Sequence, residues 1–286
     1  MLRNYENFLP EATINTWSKL QPFLPEASYL VGGTALTMHL KHRISRDLDF
    51  CVMKPFDTDM LLSNLQNEFG FIQTNGGYRT VNGWMLGTKV EIMRGLGQKN
   101  ISQSTNIAGI EVLDIPDLLT MKLKVINDRG VWRDYFDIYK IDTTTHFRIE
   151  DGLEYFIDRF GTKNLNNYMT TIPKALSYTV DLKDDFGVNE QDKEEIVKHL
   201  SERIQSVYQK AQFLRTPTPP YSQELLELTT EQEREEYNSP DKSYQAQTLS
   251  SSGSVLMCNL LNRFEVFCLH LVAVENHMNM IISILA

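Results

Sequence analysis

The feature that most constrains this chain is Tyr29-Leu30-Val31-Gly32-Gly33-Thr34 and, shortly after it, Ile44-Ser45-Arg46-Asp47-Leu48-Asp49-Phe50. An apolar strand runs into a glycine turn, and a short helix follows from Thr34 to Lys41 with Ala35, Leu36, Met38 and Leu40 as its apolar positions. A second strand, Asp47 to Met53, then carries two carboxylates one residue apart. Strand side chains alternate between faces, so Asp47 and Asp49 share one face while Leu48 and Phe50 share the other. Two carboxylates on one face repel each other unless a positive charge lies between them. A hard divalent cation such as Mg²⁺ fills that role, because it takes oxygen ligands and keeps positions open for substrate phosphates. The Gly32-Gly33-Thr34 turn at a helix start offers free backbone N–H groups and the positive end of a helix dipole, which suits a phosphate. Taken singly, the turn reads as a tight turn that only glycine tolerates, and the acids read as a solvated strand face. Together they describe a site for a metal–triphosphate.

Charge is spread unevenly over the 286 residues, whose net charge is −9. Residues 181–242 hold 15 acidic and 8 basic side chains, a net of −7, whereas residues 1–180 hold 20 and 19, a net of −1. Basic residues gather around the motifs: Arg43, Arg46, Lys89, Arg94, Lys122, Arg129 and Arg133. Local positive charge governs attraction to phosphate, so that half can accept a nucleotide and an RNA end. A charged fraction of 23% and a hydrophobic fraction of 42% are those of a globular protein. The N-terminus lacks the apolar run of a secretory signal. The three cysteines (Cys51, Cys258 and Cys268) show no Cys-x-x-Cys spacing and read as reduced thiols of a cytoplasmic protein.

In chain order, Glu11 to Pro22 reads as a helix with Ile14, Trp17, Leu20 and Phe23 on one face. Asp57 to Asp59 cap a helix running from Met60 to Phe69. Strands follow at Phe71–Thr74, Tyr78–Val81 and Trp84–Leu86, with turns expected at Asn75-Gly76-Gly77 and Asn82-Gly83. In Thr88 to Met93, alternation places Lys89, Glu91 and Met93 on one face and Val90 and Ile92 on the other. Glu91 can pair with Arg94 or Lys89 at a strand edge. Asp114 caps a helix with a proline in its first turn and Asp117 near its positive end. That helix carries Lys122 and Arg129, and past Gly130 a second helix brings Arg133, Asp134 and Asp137 to one side. An exposed Arg133–Asp137 ion pair is worth only about 0.3–0.5 kcal/mol. Beyond residue 145 the pattern is helical at 153–160, 172–176 and 194–207. A stiff Pro-rich linker spans 216–220, an acidic, Ser-rich and mobile stretch runs to 253, and an apolar but polar-interrupted segment closes the chain at 254–286, a poor fit to a membrane span. His270 and His277 in that segment read as packed residues.

Gly33-Thr34, twelve residues and Asp47-x-Asp49 resemble the signature of the DNA-polymerase-β-type nucleotidyltransferases. The wording Val-Gly-Gly-Thr-Ala-Leu … His-Arg-Ile-Ser-Arg-Asp-Leu-Asp-Phe is similar to the abortive-infection AbiEii/AbiGii toxin-type branch. A second block, Leu119 to Lys124 with Asp128-Arg129 and Arg133-Asp134-Tyr135-Phe136-Asp137, resembles the family's later motif. The resemblance covers about residues 25–140. It implies an α+β fold: a polymerase-β-like domain of mixed sheet flanked by helices at 1–145, then a helical bundle domain at 146–286. It also implies transfer of a nucleoside monophosphate from an NTP to a hydroxyl, with two Mg²⁺ ions held by Asp47, Asp49 and a third acid, Glu91. The family more often has aspartate at that third place. Catalysis would fall to Asp47, Asp49, Glu91, Lys122 and Asp137. Substrate contacts would come from Gly32, Gly33, Thr34, Arg46, Lys122, Arg129, Arg133 and Asp134. The implied setting is the toxin of a bacterial toxin–antitoxin or phage-defence pair, with a cognate antitoxin as partner and a tRNA 3′ end or other RNA as acceptor. The alternatives are transfer to a partner protein, or nucleotide binding without catalysis.

Overall fold

The structure, a computed structural model, describes residues 2–77, 79–95, 97–184 and 187–215. The segments at 216–253 and 254–286, with His270, His277, Cys258 and Cys268, lie outside them.

Strand β1 (Ser28–Val31) feeds directly into helix α2 (Gly32–Leu40), and the chain returns as β2 (Leu48–Val52), antiparallel to β1. Helix α2 ends at Lys41, which takes the left-handed conformation and donates its N–H to the Thr37 carbonyl. Before this unit comes α1 (Glu11–Leu20), and after it α3 (Thr58–Phe69), whose cap Asp57 accepts from the Asp59 and Met60 N–H groups as its sequence predicts. Strands β3 (Ile72–Gly77), β4 (Thr80–Met85) and β5 (Thr88–Arg94) form an antiparallel meander, and β5 lies parallel to β2. A short hairpin, β6 (Thr105–Ile107) and β7 (Ile110–Val112), adds to the far side through a parallel β1–β7 pair. The result is a seven-stranded mixed sheet in the order β3-β4-β5-β2-β1-β7-β6.

Among the described residues, five helices follow: α4 (Ile115–Asp128), α5 (Trp132–Thr144), α6 (Ile149–Phe160), α7 (Leu165–Ser177) and α8 (Glu190–Leu214). The α+β class and the sheet flanked by helices are as the sequence predicts. One sheet face is apolar: Leu48, Phe50, Val81, Met85, Val90 and Ile92 are buried, with α1 and α3 packed on that side. Burying a side chain of that size contributes about 1.5–3 kcal/mol. Helices α6, α7 and α8 pack against α4 and α5. The described residues fall within one compact unit, 1–217. Among them, no helix is long and apolar enough to cross a membrane.

Three local expectations are corrected. Asn82-Gly83 is not a turn but the middle of β4; a Cβ on Gly83 would strike the Ile72 carbonyl and lie 2.6 Å from the Phe71 ring. The glycine there serves close strand approach, and the β4–β5 turn falls instead at Leu86-Gly87, both with positive φ. Asn75-Gly76-Gly77 lies within β3, next to a register shift between Gln73 and Asn75. The strand β5 is not an edge, because β2 and β4 flank it, and Arg94 turns away to the Phe56 carbonyl at 2.7 Å. One buried pair had no signal in the sequence. Asp117 is fully buried and accepts from the Ile101 and Ser102 N–H groups, the Ser102 hydroxyl and the buried Arg159 guanidinium, tying the 99–102 loop to α4 and α6.

Candidate active site

The cleft is built on the sheet face opposite the apolar one. Register places Asp49 beside Val31 on β1 and beside Glu91 on β5, so the second and third acids are direct neighbours on parallel strands. Burial alternates along β5, with Val90 and Ile92 buried and Lys89, Glu91 and Met93 facing the cleft, as the sequence predicts. Asp47 precedes β2 by one residue and lines the same cleft, together with Gly32 and Gly33. The cavity measures about 560 Å³. Its opposite wall comes from α4, the α4–α5 connection and the first turn of α5: Leu118, Met121, Lys122, Arg129 and Arg133.

The glycine turn is shaped by its neighbours. Gly32 has φ +72°, and a Cβ there would come within 2.6 Å of an Asp49 carboxylate oxygen. A Cβ on Gly33 would strike the Arg43 guanidinium. The Asp49 carboxylate therefore occupies the space a Gly32 side chain would need, and α2 starts with no side chain capping its first N–H groups. Those donors and the dipole end form the anion-receptive part of the cleft.

Asp49 is the electrostatically perturbed acid of the cleft. Burial first, then the charges of Asp47 and Glu91, raise the Asp49 carboxyl to about 6 against weaker pulls from Lys122 and Lys89. Desolvation and the two neighbouring acids together outweigh the cations within reach. Among the described residues, no three acid, histidine or cysteine side chains form a ready-made metal cluster. The donor set still suits a hard cation: three carboxylates on one wall, with Gly32 leaving the Asp49 oxygens uncovered.

Behind the α4 wall lies a second acidic pair with the opposite balance. Asp134 and Asp137 of α5 are fully buried. Lys122 Nζ bonds Asp134 at 2.7 Å and Asp137 at 2.6 Å. Asp137 also accepts from Arg43 Nε at 2.7 Å and Nη2 at 2.9 Å, and lies 2.7 Å from His42 Nε2. Arg129, half-exposed, bonds Asp134 at 3.0 Å. Burial alone would raise Asp137, but Lys122, Arg43 and His42 more than offset it and hold the carboxyl well below the usual carboxylate range. Asp134 is likewise pulled down overall, by Lys122 and Arg129 against its burial.

The expected site residues thus divide. Gly32, Gly33, Arg46, Asp47, Asp49, Glu91, Lys122, Arg129 and Arg133 come together around one cleft. Asp134 and Asp137 sit behind it and hold Lys122 and Arg43, so the exposed ion pair read for Asp137 gives way to a buried network. Thr34 is also turned inward: its hydroxyl bonds Ser45 Oγ at 2.8 Å and the Asp47 carbonyl, bracing the loop that presents Asp47. Sequence reasoning missed the partnership of His42 and Arg43 with Asp137. The only sequence signal was a basic pair immediately before the Asp-x-Asp segment.

Residues 19–83 match the model of the nucleotidyl transferase AbiEii toxin family, described as a type IV toxin–antitoxin system. That span holds the glycine turn and both aspartates, and the resemblance carried by the sequence is borne out there. No curated protein matches the chain. Among solved structures, JHP933 from Helicobacter pylori aligns at 20% identity over 78% of this chain and 99% of its own, with a TM-score of 0.41. MenT4, a nucleotidyltransferase toxin from Mycobacterium tuberculosis, aligns at 13% identity over 72% of this chain and 90% of its own, also with a TM-score of 0.41.

Proposed function

We propose that the chain transfers a nucleoside monophosphate from an NTP to an acceptor hydroxyl, releasing pyrophosphate. The observation that carries this reading is the convergence of Asp47, Asp49, Glu91 and the uncapped Gly32-Gly33 helix start on one cleft. The Gly33 backbone and the α2 dipole receive the triphosphate tail. Arg46, Arg129 and Arg133 add positive charge around the tail. Lys122, fixed by Asp134 and Asp137, offsets charge growing on the leaving pyrophosphate. Asp47, Asp49 and Glu91 would hold Mg²⁺, two ions in the fullest form, which when bound supply Lewis-acid charge to the phosphates. The acceptor oxygen forms a bond to the α-phosphorus as the bond to the pyrophosphate oxygen breaks. The hydroxyl proton passes to a carboxylate, for which Glu91 is placed beside Asp49.

The family match over residues 19–83 supports a toxin of a toxin–antitoxin pair, acting in the cytoplasm and restrained by a cognate antitoxin. An RNA 3′ end is the favoured acceptor. Residues 1–145 serve as the nucleotidyltransferase domain and the following helices as its support. The test is incubation of the full chain with each α-labelled NTP, Mg²⁺ and total tRNA, with Asp49→Asn as control. Label on RNA that vanishes in the control is the expected result. Label on protein would move the acceptor to a polypeptide, and saturable NTP binding without transfer would overturn the enzymatic reading.

A further inference from the structure

We propose that Trp84, with Lys89 beside it, is a stacking platform for the terminal base of a single-stranded nucleic-acid acceptor. The proposal rests on the nucleotidyl-transfer reading and adds the surface that would present the attacking hydroxyl.

Three tryptophans occur in the chain, and their surroundings differ. Trp17 is 1% exposed and Trp132 9%, whereas Trp84 is 46% exposed although it lies on β4, inside the sheet order. Burial alternates along β4, with Val81, Gly83 and Met85 inward and Asn82 and Trp84 on the other face. The register identifies that face. Trp84 is opposite Lys89 and Asn82 is opposite Glu91, so both share the face that carries Glu91 and Asp49. The ring therefore stands on the outward continuation of the cleft floor. Diagonal neighbours across an antiparallel pair are ~7–8 Å apart, which sets the Trp84–Glu91 spacing.

The chemistry around the ring suits a nucleotide. Lys89, directly opposite Trp84 in the register and lining the cleft with Asp49 and Glu91, supplies a cation beside the ring. Asn82 and Thr74, joined at 3.4 Å, set polar groups alongside. Exposed Ile72, opposite Trp84 on β3, flanks the indole. A flat aromatic face with a neighbouring cation, adjoining a phosphate-receptive cleft, is the arrangement by which sequence-tolerant single-strand binders hold bases.

The test pairs binding with transfer, on the full chain. Trp84→Ala should weaken binding of a short single-stranded oligoribonucleotide about tenfold, the loss of one base stack. It should raise KM for an RNA acceptor by a similar factor while kcat and NTP affinity stay near wild type. Trp84→Phe, which keeps a stacking ring, should recover most of the loss. Oligonucleotide should also quench tryptophan fluorescence in the wild type but not in Trp84→Phe, which isolates this ring from Trp17 and Trp132. Unchanged binding and KM in Trp84→Ala would overturn the platform while leaving nucleotidyl transfer intact. If the wild type transfers no label to any acceptor, the transfer reading fails, and the quenching and binding measurements still decide the platform. A wild type that labels only protein and shows no quenching would overturn it and reassign the face to a polypeptide.

Discussion

Asp49 and Asp137 are both carboxylates drawn out of bulk water, and they are held in opposite ways. Asp49 has Asp47 and Glu91 for company, and its pKa rises to about 6. Asp137 has Lys122, Arg43 and His42 around it, and its pKa falls well below the ordinary range. The first cluster faces an open cleft, where the charge of a bound cation would offset it. The second is complete without any ligand, and it fixes the two cations, Lys122 and Arg43, that stand at the cleft wall. The difference separates an open acidic cleft from the buried network that shapes its wall.

The largest effect that would break this comparison is in activity. Asp49→Asn should lower nucleotidyl transfer by about a thousandfold or more, the scale on which a metal-holding carboxylate acts. Circular dichroism should show the fold retained, because the substitution removes a repulsion. An Asp49→Asn protein that transfers at the wild-type rate would remove the cleft acids from the mechanism. Asp137→Asn should do the reverse and act first on stability. Leaving Lys122 and Arg43 with an uncharged partner should cost about 3–5 kcal/mol, the usual penalty for breaking a buried pair. For a body of this size that is a drop in melting temperature of about 6–20 °C. A drop under about 2 °C would show the network to be dispensable.

Acidity sharpens the contrast, because the two groups respond with opposite signs. The folded pKa of Asp49 lies above its unfolded value near 4, so its contribution to stability declines as pH rises from about 4 to 6, by about 2 kcal/mol. Asp137 has a depressed folded pKa, so its contribution is present above about pH 4 and disappears as pH falls below that. Urea melts between pH 4 and 7 should show the decline in wild type, and it should flatten in Asp49→Asn and when Mg²⁺ is added. An equal slope in the variant would mean that Asp49 is not the group responsible. The smallest expected effect is at Thr34. Thr34→Val removes the hydroxyl that braces Ser45 and the Asp47 carbonyl, at a cost of about 1–2 kcal/mol. Its transfer rate should fall through Asp47 misplacement, while NTP affinity changes little. A large loss of NTP affinity would instead return Thr34 to the phosphate contact that its sequence position suggests.

Whatever depends on neighbours along the chain was legible in the amino-acid order. The strand–turn–helix–strand unit, the caps at Asp57 and Asp114, the alternation that turns Glu91 outward and the helical periods after residue 145 all repeat over a few positions, where backbone geometry allows few alternatives. The errors came where a local signal has two uses. Asn82-Gly83 has the composition of a turn, yet Gly83 is small because the Ile72 carbonyl and the Phe71 ring press on it, a contact no short window encodes. Tertiary structure alone decided that Asp49 and Glu91 are neighbours, that Thr34 faces inward, that Arg43 reaches Asp137 across 94 residues, and that Trp84 stands uncovered on the cleft face. These are pairings between distant segments, chosen by which charges and surfaces the folded chain brings together.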